Sequence, residues 1–364
     1  MDKVSGVLDR FTTFENLYDG YKLASRNKRY KPEVLAYTAC LEENIIQSIN
    51  ELVWHEYKIG RAHEFFEYFP KKRIITAWPF YNRVVNCAAY NVLWPIYRRS
   101  FYEHSYGSIP GKGLVKAVER FQSWLRIVNK KPHKWYIGKM DVQKFFFRIP
   151  HEIQLRELGK PLDDPEMMSF LETCIKGDGR PTGLPLEVSD VTDCERIMGI
   201  GMPVGSLISQ MTANVVMTPF DHYMKRVIRI PYLIRYMDDA LILGESKQQV
   251  WDAIGYGNDF LKIYLGLQLN SKTQVVPVGE PVEFIGRIVT PYRIDVRKSS
   301  SLQMIRHLKW TEEQYYQGNV PYDYCYNVIM SYYGILKHTD SIGLTRKLEN
   351  FSFRKPIKEY QKEW

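Results

Sequence analysis

The segment Tyr232–Leu243, YLIRYMDDALIL, restricts the architecture more than any other stretch of this chain. Two apolar runs flank two adjacent aspartates. Asp is tolerated in turns, and the apolar runs need cover on their faces, so a buried hairpin with both carboxylates at its tip is expected. Adjacent carboxylates repel each other, and a divalent cation relieves the repulsion. An ordinary Asp-containing hairpin shows the same local pattern, so the pair needs a third acid before it implies chemistry. Asp141 is the candidate, because it closes the strand-like run Trp135–Val142 (WYIGKMDV). If the two strands are neighbours, Asp141 meets Asp238 at one end of the sheet. Three carboxylates there can hold two Mg²⁺ ions, which lie about 3.5–4 Å apart in two-metal sites. The eight histidines show no H-E-x-x-H spacing and the five cysteines no C-x-x-C pair, so a hard, oxygen-ligated ion is favoured over zinc.

Around this block the chain alternates in period. Residues 9–53 read as helices, and 64–76 as two short strands joined by a basic Pro-Lys-Lys turn. Residues 80–102 and Leu114–Val128 have helical spacing, with the Gly-rich stretch Gly107–Gly113 between them. Glu152–Leu158 opens a helix. Residues 159–200, with Pro161, Pro165, Pro181 and Pro185, read as a polar, turn-rich insertion. Gly205–Lys225 is expected to be a long amphipathic helix and Val250–Leu265 another. Leu267–Val278 and Val282–Val296 read as two further strand pairs, and the chain from Ser301 onward as basic, Tyr-rich helices. The middle order, strand–helix–helix–strand–helix–strand, implies an α+β fold with an antiparallel sheet backed by helices.

With 45% apolar residues the chain is neither disordered nor a disulfide scaffold, and an odd cysteine count suits a reducing compartment. The N-terminal residues lack a signal-peptide pattern and no run of about 18 apolar residues occurs, so a soluble, cytoplasmic protein without a membrane partner is expected. The net charge of +9 suits a polyanion, and 26 Tyr, 17 Phe and 8 Trp offer surfaces for stacked bases.

KMDVQKFFF, GMPVGSLISQ, YMDD, LNSKTQV and EFIGRI follow one another in the order of the palm motifs of reverse transcriptases, which this chain resembles. Upstream, PKKRIITAWPFYNRVV and SYGSIPGKG resemble the fingers motifs of the bacterial, group II intron-like branch. The resemblance covers about residues 64–300 and implies a right-hand polymerase. Its parts would be an N-terminal helical extension at 1–60, fingers at 61–134, an RRM/ferredoxin-like palm at 135–294 with an insertion at about 159–200, and a thumb with basic helices at 295–364. The Gly201–Gln210 pattern, Phe14–Leu17 and Arg297–Ser300 are most similar to reverse transcriptases of diversity-generating retroelements, and antiphage-defence reverse transcriptases share much of this architecture.

The resemblance implies roles residue by residue. Asp141 and Asp238 would be the principal Mg²⁺ ligands, with Asp239 and the backbone of Val142 in support and Mn²⁺ as a substitute. Phe146 would be a steric gate against the ribose 2′-hydroxyl. Lys72 and Arg73 would clamp the triphosphate, although which of Lys71, Lys72 and Arg73 faces inward stays open, and Lys272 would lie near the leaving pyrophosphate. Val204, Gly205 and Gln210 would lie at the nascent base pair; retroviral relatives have Gln where this chain has Val204, and an apolar residue there accompanies error-prone copying. Phe284, Gly286 and Arg287 match the primer grip. Arg297 and Lys298 would open a thumb whose Arg306, Lys309, Arg346, Lys347, Arg354 and Lys355 track the template–primer backbone. Plainer readings compete: Phe146 as core, the basic residues as solvated surface, Gln210 as an amide bonded to backbone. The chain departs from its relatives at Asn82-Arg83, where Asp-Arg is usual, which puts an ion pair with Arg83 in doubt.

The implied activity is RNA-directed DNA synthesis from dNTPs, most in keeping with error-prone cDNA synthesis in a diversity-generating retroelement. An antiphage-defence enzyme working with a non-coding RNA and making repetitive or untemplated DNA is the alternative, and a catalytically idle nucleic-acid-binding module a third. No RNase H or endonuclease motif is evident. The expected partners are therefore a structured template RNA from the same locus, a DNA primer or product, and a small basic accessory protein or a second copy of the chain, in a ribonucleoprotein of a bacterial or phage-infected cell.

Overall fold

The computed structural model describes residues 3–67, 73–185, 196–349 and 351. The chain begins with four helices, α1 (Val7–Phe11), α2 (Phe14–Ser25), α3 (Pro32–Ala39) and α4 (Leu41–Val53). Their starts are written locally: the Thr13 side chain accepts from the Asn16 N–H, and Pro32 takes the first position of α3. A hairpin follows, β1 (His63–Glu67) and β2 (Arg73–Ala77), then α5 (Phe80–Tyr97) and α6 (Leu114–Val128). Next come β3 (Tyr136–Asp141), α7 (Phe145–Arg148), α8 (His151–Gly159), α9 (Pro165–Lys176) and α10 (Leu207–Arg226). The strands β4 (Tyr232–Tyr236) and β5 (Asp239–Gly244) lead to α11 (Lys247–Leu265) and β6 (Gln274–Pro277). A small sheet of β7 (Val282–Phe284), β8 (Arg287–Val289) and β9 (Ile294–Val296) precedes α12 (Lys298–Tyr316), α13 (Tyr322–Leu336) and α14 (Ile342–Glu349).

The central sheet is antiparallel with strand order β4-β5-β3-β6. With α10 and α11 in the two crossovers this is the βαββαβ, ferredoxin-like arrangement, and the α+β expectation holds. Both faces are covered. Met140, Leu233, Ala240 and Ile242 meet Phe220 of α10 and Ile254 of α11, while Ile137, Ile234, Leu241 and Leu243 meet Phe121 and Leu125 of α6 and Phe284 of β7. A sheet buried on both sides requires near-continuous apolar strands, which explains the runs YLI and ALIL, with Arg235 as the exception.

Three expectations are corrected. In its described part, 159–185 and 196–200, the expected insertion is not turn-rich throughout: Asp164 caps α9 through the Met167 N–H (2.9 Å), and Pro165 sits at the first helical position. The helix buries Met167, Phe170, Leu171, Cys174 and Ile175 against α1, α2 and α5. Leu171 is fully buried, so Leu171→Ala is expected to cost about 2–5 kcal/mol in denaturant unfolding. Leu267–Val278 holds one strand rather than two, because Gly266 closes α11 in the left-handed region (φ 62°) and residues 267–273 form the approach to β6. The helix α10 is buried nearly all round, not amphipathic, since it lies between the central sheet and the N-terminal helices. Among the described residues no helix is long and apolar enough to cross a membrane.

Candidate active site

Sheet register brings the three acids to one end of the sheet. β3 pairs with β5 so that Asp141 faces Asp239, and β4 pairs with β5 so that Tyr236 also faces Asp239. Met237 and Asp238 are left as the turn, with Met237 in the left-handed region at φ 57°. The Val142 N–H donates to the Asp238 carbonyl (3.3 Å), drawing the end of β3 to the turn. Asp141 is held from its other side: Asn270 donates from its side-chain amide to Asp141 Oδ2, and from its backbone N–H to the Asp141 carbonyl (2.9 Å). All three aspartates are half-buried. The donor set is all oxygen, which fits a hard divalent cation. Among the described residues no three His, Cys, Asp or Glu side chains converge closely enough to cage an ion.

The turn is packed from beneath. A Cβ placed on Gly107 would lie 2.5 Å from the Met237 Cγ and 2.7 Å from its backbone N. Gly107→Ala is therefore expected to cost about 1–3 kcal/mol in thermal unfolding, and to lower activity further by displacing the turn.

Phe146 lies on α7, its ring half-buried and edge-on to Phe145 at 5.4 Å. Its carbonyl accepts from the Met202 N–H (2.8 Å). Beside it the Ile149 carbonyl accepts from the Gly201 N–H (2.9 Å) and the Gln154 amide (3.0 Å). The Gly201 carbonyl in turn accepts from Gln154 and from His151 Nε2, each at 3.0 Å. Burial pushes the His151 imidazole below its usual range, in keeping with a neutral ring donating to a carbonyl. The glycine-rich loop is thus stitched to the Phe146 segment. Its other end is tied to the β1–β2 hairpin, where the Thr76 N–H donates to the Val204 carbonyl (2.8 Å). At Gly205 (φ 129°) a Cβ would lie 2.8 Å from the Thr76 carbonyl oxygen, so this junction accepts only glycine. Gln210 is half-buried in the first turn of α10.

Other candidates lie farther out or face inward. Lys72 lies outside the described residues, as do Lys71, Arg354 and Lys355; Arg73 opens β2, its backbone in register with Glu67 of β1. Lys272 is exposed on the loop that Asn270 organises, and its N–H donates to Asn270 Oδ1 (2.9 Å). The Phe284 ring is fully buried and packs on Phe121 at 5.8 Å, and Arg287 is buried and donates to the Ile335 carbonyl of α13 (3.1 Å). Their side chains build the core and the seat of the C-terminal helices, leaving the Ile285-Gly286 turn (φ 49° and 73°) as the part of this hairpin that can approach a ligand. Arg297 pairs with Glu283 (2.8 Å), and Lys298 stands exposed at the start of α12. The unusual Asn82 serves the fold, accepting from the Gly60 N–H and donating to Tyr57 and Lys58, and Arg83 pairs with Glu33 at 2.5 Å instead. Asn270 is the residue that motif reading passed over; its signal was an amide beside the exposed Ser271-Lys272 turn.

The reverse transcriptase (RNA-dependent DNA polymerase) family model matches residues 69–289. The chain is 24% identical over 143 residues to the protein YkfC of Escherichia coli K12, covering 39% of this chain and 35% of that protein. It is 22% identical over 275 residues to the putative COX1/OXI3 intron 2 protein of Saccharomyces cerevisiae, covering 58% and 30%. It therefore spans about a third of the length of these relatives. Similar solved structures include an apo telomerase from Candida tropicalis truncated from its C-terminal domain (TM-score 0.46, 11% identity, 66% of this chain and 55% of that one). Telomerase from Candida albicans with a fragment of telomeric RNA is another (TM-score 0.44, 13%, 84% and 57%).

Proposed function

This chain belongs to the reverse transcriptase family, and from that premise we propose that it is an RNA-directed DNA polymerase that adds dNTPs to a primer 3′-hydroxyl. The observation that carries the reading is the register that sets Asp141 opposite Asp239 with Asp238 on the adjoining turn. Two divalent cations, Mg²⁺ or Mn²⁺, held by Asp141, Asp238, Asp239 and the Val142 backbone, would supply charge stabilisation to the attacking and leaving oxygens. The protein's own part is positioning. Phe146 blocks the space a ribose 2′-hydroxyl needs, and Val204, Gly205 and Gln210 lie against the nascent base pair. Lys72, Arg73 and Lys272 neutralise the triphosphate. The Gly286 turn, Arg297 and Lys298 follow the nucleic-acid backbone, where Arg297 must share its charge with Glu283. In right-hand terms we assign residues 61–134 to fingers, 135–294 to palm and 295–364 to thumb.

The finer reading is error-prone copying of a structured RNA in a diversity-generating retroelement, supported by Val204 and by the Gly201–Gln210 pattern. Primer extension by the purified chain on an RNA template, with Mg²⁺ and dNTPs, tests the activity; no extension with any RNA template or divalent ion sinks it. Sequencing the DNA made in cells from the native locus tests the finer reading. Copies of one flanking RNA with changes concentrated at template adenines support it, while repetitive or untemplated DNA transfers the protein to antiphage defence.

A further inference from the structure

Inside the molecule, beneath the Met237-Asp238 turn, lies a charged cluster to which the proposed chemistry gives no role. Arg235 is fully buried in the middle of an apolar strand, and Asp221 and Asn214 of α10 are equally buried. Arg235 Nε donates to Asp221 Oδ1 (2.8 Å) and Nη2 to Oδ2 (2.8 Å), a two-pronged contact. The remaining nitrogen, Nη1, is turned the other way and donates to Asn214 Oδ1 (3.2 Å) and to the Met237 carbonyl (2.9 Å). Asn214 continues the chain of contacts by donating to the Gly107 carbonyl (2.9 Å), the same glycine whose missing Cβ makes room for Met237.

A buried ion pair is a poor device for stability alone, because an apolar pair of similar volume serves as well or better. What this pair achieves is geometric. Met237 is a non-glycine residue in the left-handed region, a conformation that persists only where its surroundings impose it. The Met237 carbonyl belongs to the peptide that leads into Asp238, so a fixed donor on that oxygen fixes the direction in which Asp238 leaves the turn. Only a planar guanidinium can grip Asp221 along one edge and present a further N–H to Met237; an ammonium has no such fork.

We infer that Arg235, locked by Asp221 and Asn214, is a positioning residue for catalysis, holding the Met237–Asp238 peptide so that Asp238 stands beside Asp141. The inference rests on the proposed polymerase role of Asp238. Asn214 and Asp221 are seven residues apart on α10, two turns of helix, so a single face of that helix carries the whole lock. Asp238 is thereby set by the helix beneath the sheet as well as by its own hairpin.

Two variants separate positioning from folding. Asp221→Leu/Arg235→Met replaces the pair by apolar side chains and removes the bond to Met237. Arg235→Lys keeps the charge against Asp221 but loses the fork. Each is compared with the parent by thermal unfolding, by kcat and dNTP KM in primer extension, and by electron paramagnetic resonance titration of Mn²⁺ with primer–template and dNTP present. The expected result is an unfolding temperature close to the parent's in the double variant, with unchanged dNTP KM. Both variants should lose about 10- to 100-fold in kcat and in Mn²⁺ affinity, as outer partners of metal ligands do. A stably folded double variant with parental kcat and Mn²⁺ affinity overturns the inference. Should the double variant not fold, Arg235→Lys decides alone, and parental values there also overturn it. A parent that neither extends a primer nor binds Mn²⁺ instead sinks the polymerase reading, so the two failures are distinct.

Discussion

Asp238→Asn is expected to slow single-turnover primer extension by about 1,000-fold, equivalent to about 4 kcal/mol of transition-state stabilisation, with almost no change in thermal unfolding. The amide matches the carboxylate in shape but carries no charge. The residue lies half-buried on a turn whose path is set by the Tyr236–Asp239 pairing, the bond from the Val142 N–H to its carbonyl and the Arg235 bond to the Met237 carbonyl, none of which uses the Asp238 carboxylate. Asp141 gives a less clean test, because its Oδ2 accepts from Asn270 and an amide there would oppose another amide. Rates are to be measured at saturating dNTP and Mg²⁺; a loss of only about tenfold would mean that Asp238 is not where the reaction's charge is stabilised.

Phe146→Ala is expected to reduce the preference for dNTPs over rNTPs by on the order of 100-fold, the scale on which a pocket's shape discriminates against one small group. The substitution should leave the local chain in place, since the Phe146 carbonyl is anchored by Met202 and the ring's main aromatic contact is with Phe145. Competing dATP and ATP over one template position gives the ratio directly. Unchanged sugar discrimination would return Phe146 to the role of a core aromatic.

The sequence revealed the central sheet because strands covered on both faces cannot avoid near-continuous apolar runs, and it revealed the acids because they interrupt or end those runs. It missed by one residue how they meet: a two-residue turn places Asp239 in the ladder opposite Asp141 and leaves Asp238 at the tip. The helix α9 was hidden by its prolines, yet Asp164-Pro165 is a helix start, a capping side chain followed by a ring that fits the first turn. Residues whose partners are distant in sequence were beyond reach. Arg235 inside YLIRY signals a buried charge that needs a counterpart. Nothing local names Asp221, and nothing in the motif shows that Phe284 and Arg287 face inward to Phe121 and Ile335.

Phe11, Leu17 and Ile45 of the N-terminal helices share one apolar cluster with Leu171 of α9 and with Ile208, Met211 and Val215 of α10. Because α10 also floors the catalytic sheet, the first fifty or so residues are a buttress to the site rather than an appendage to it. The described part of the chain from Val7 to the end of the sheet should melt as one cooperative unit. Calorimetry on the whole protein should then find no early transition belonging to the N-terminal helices, and loosening them by a substitution such as Phe11→Ala should lower the melting of the active-site sheet with them.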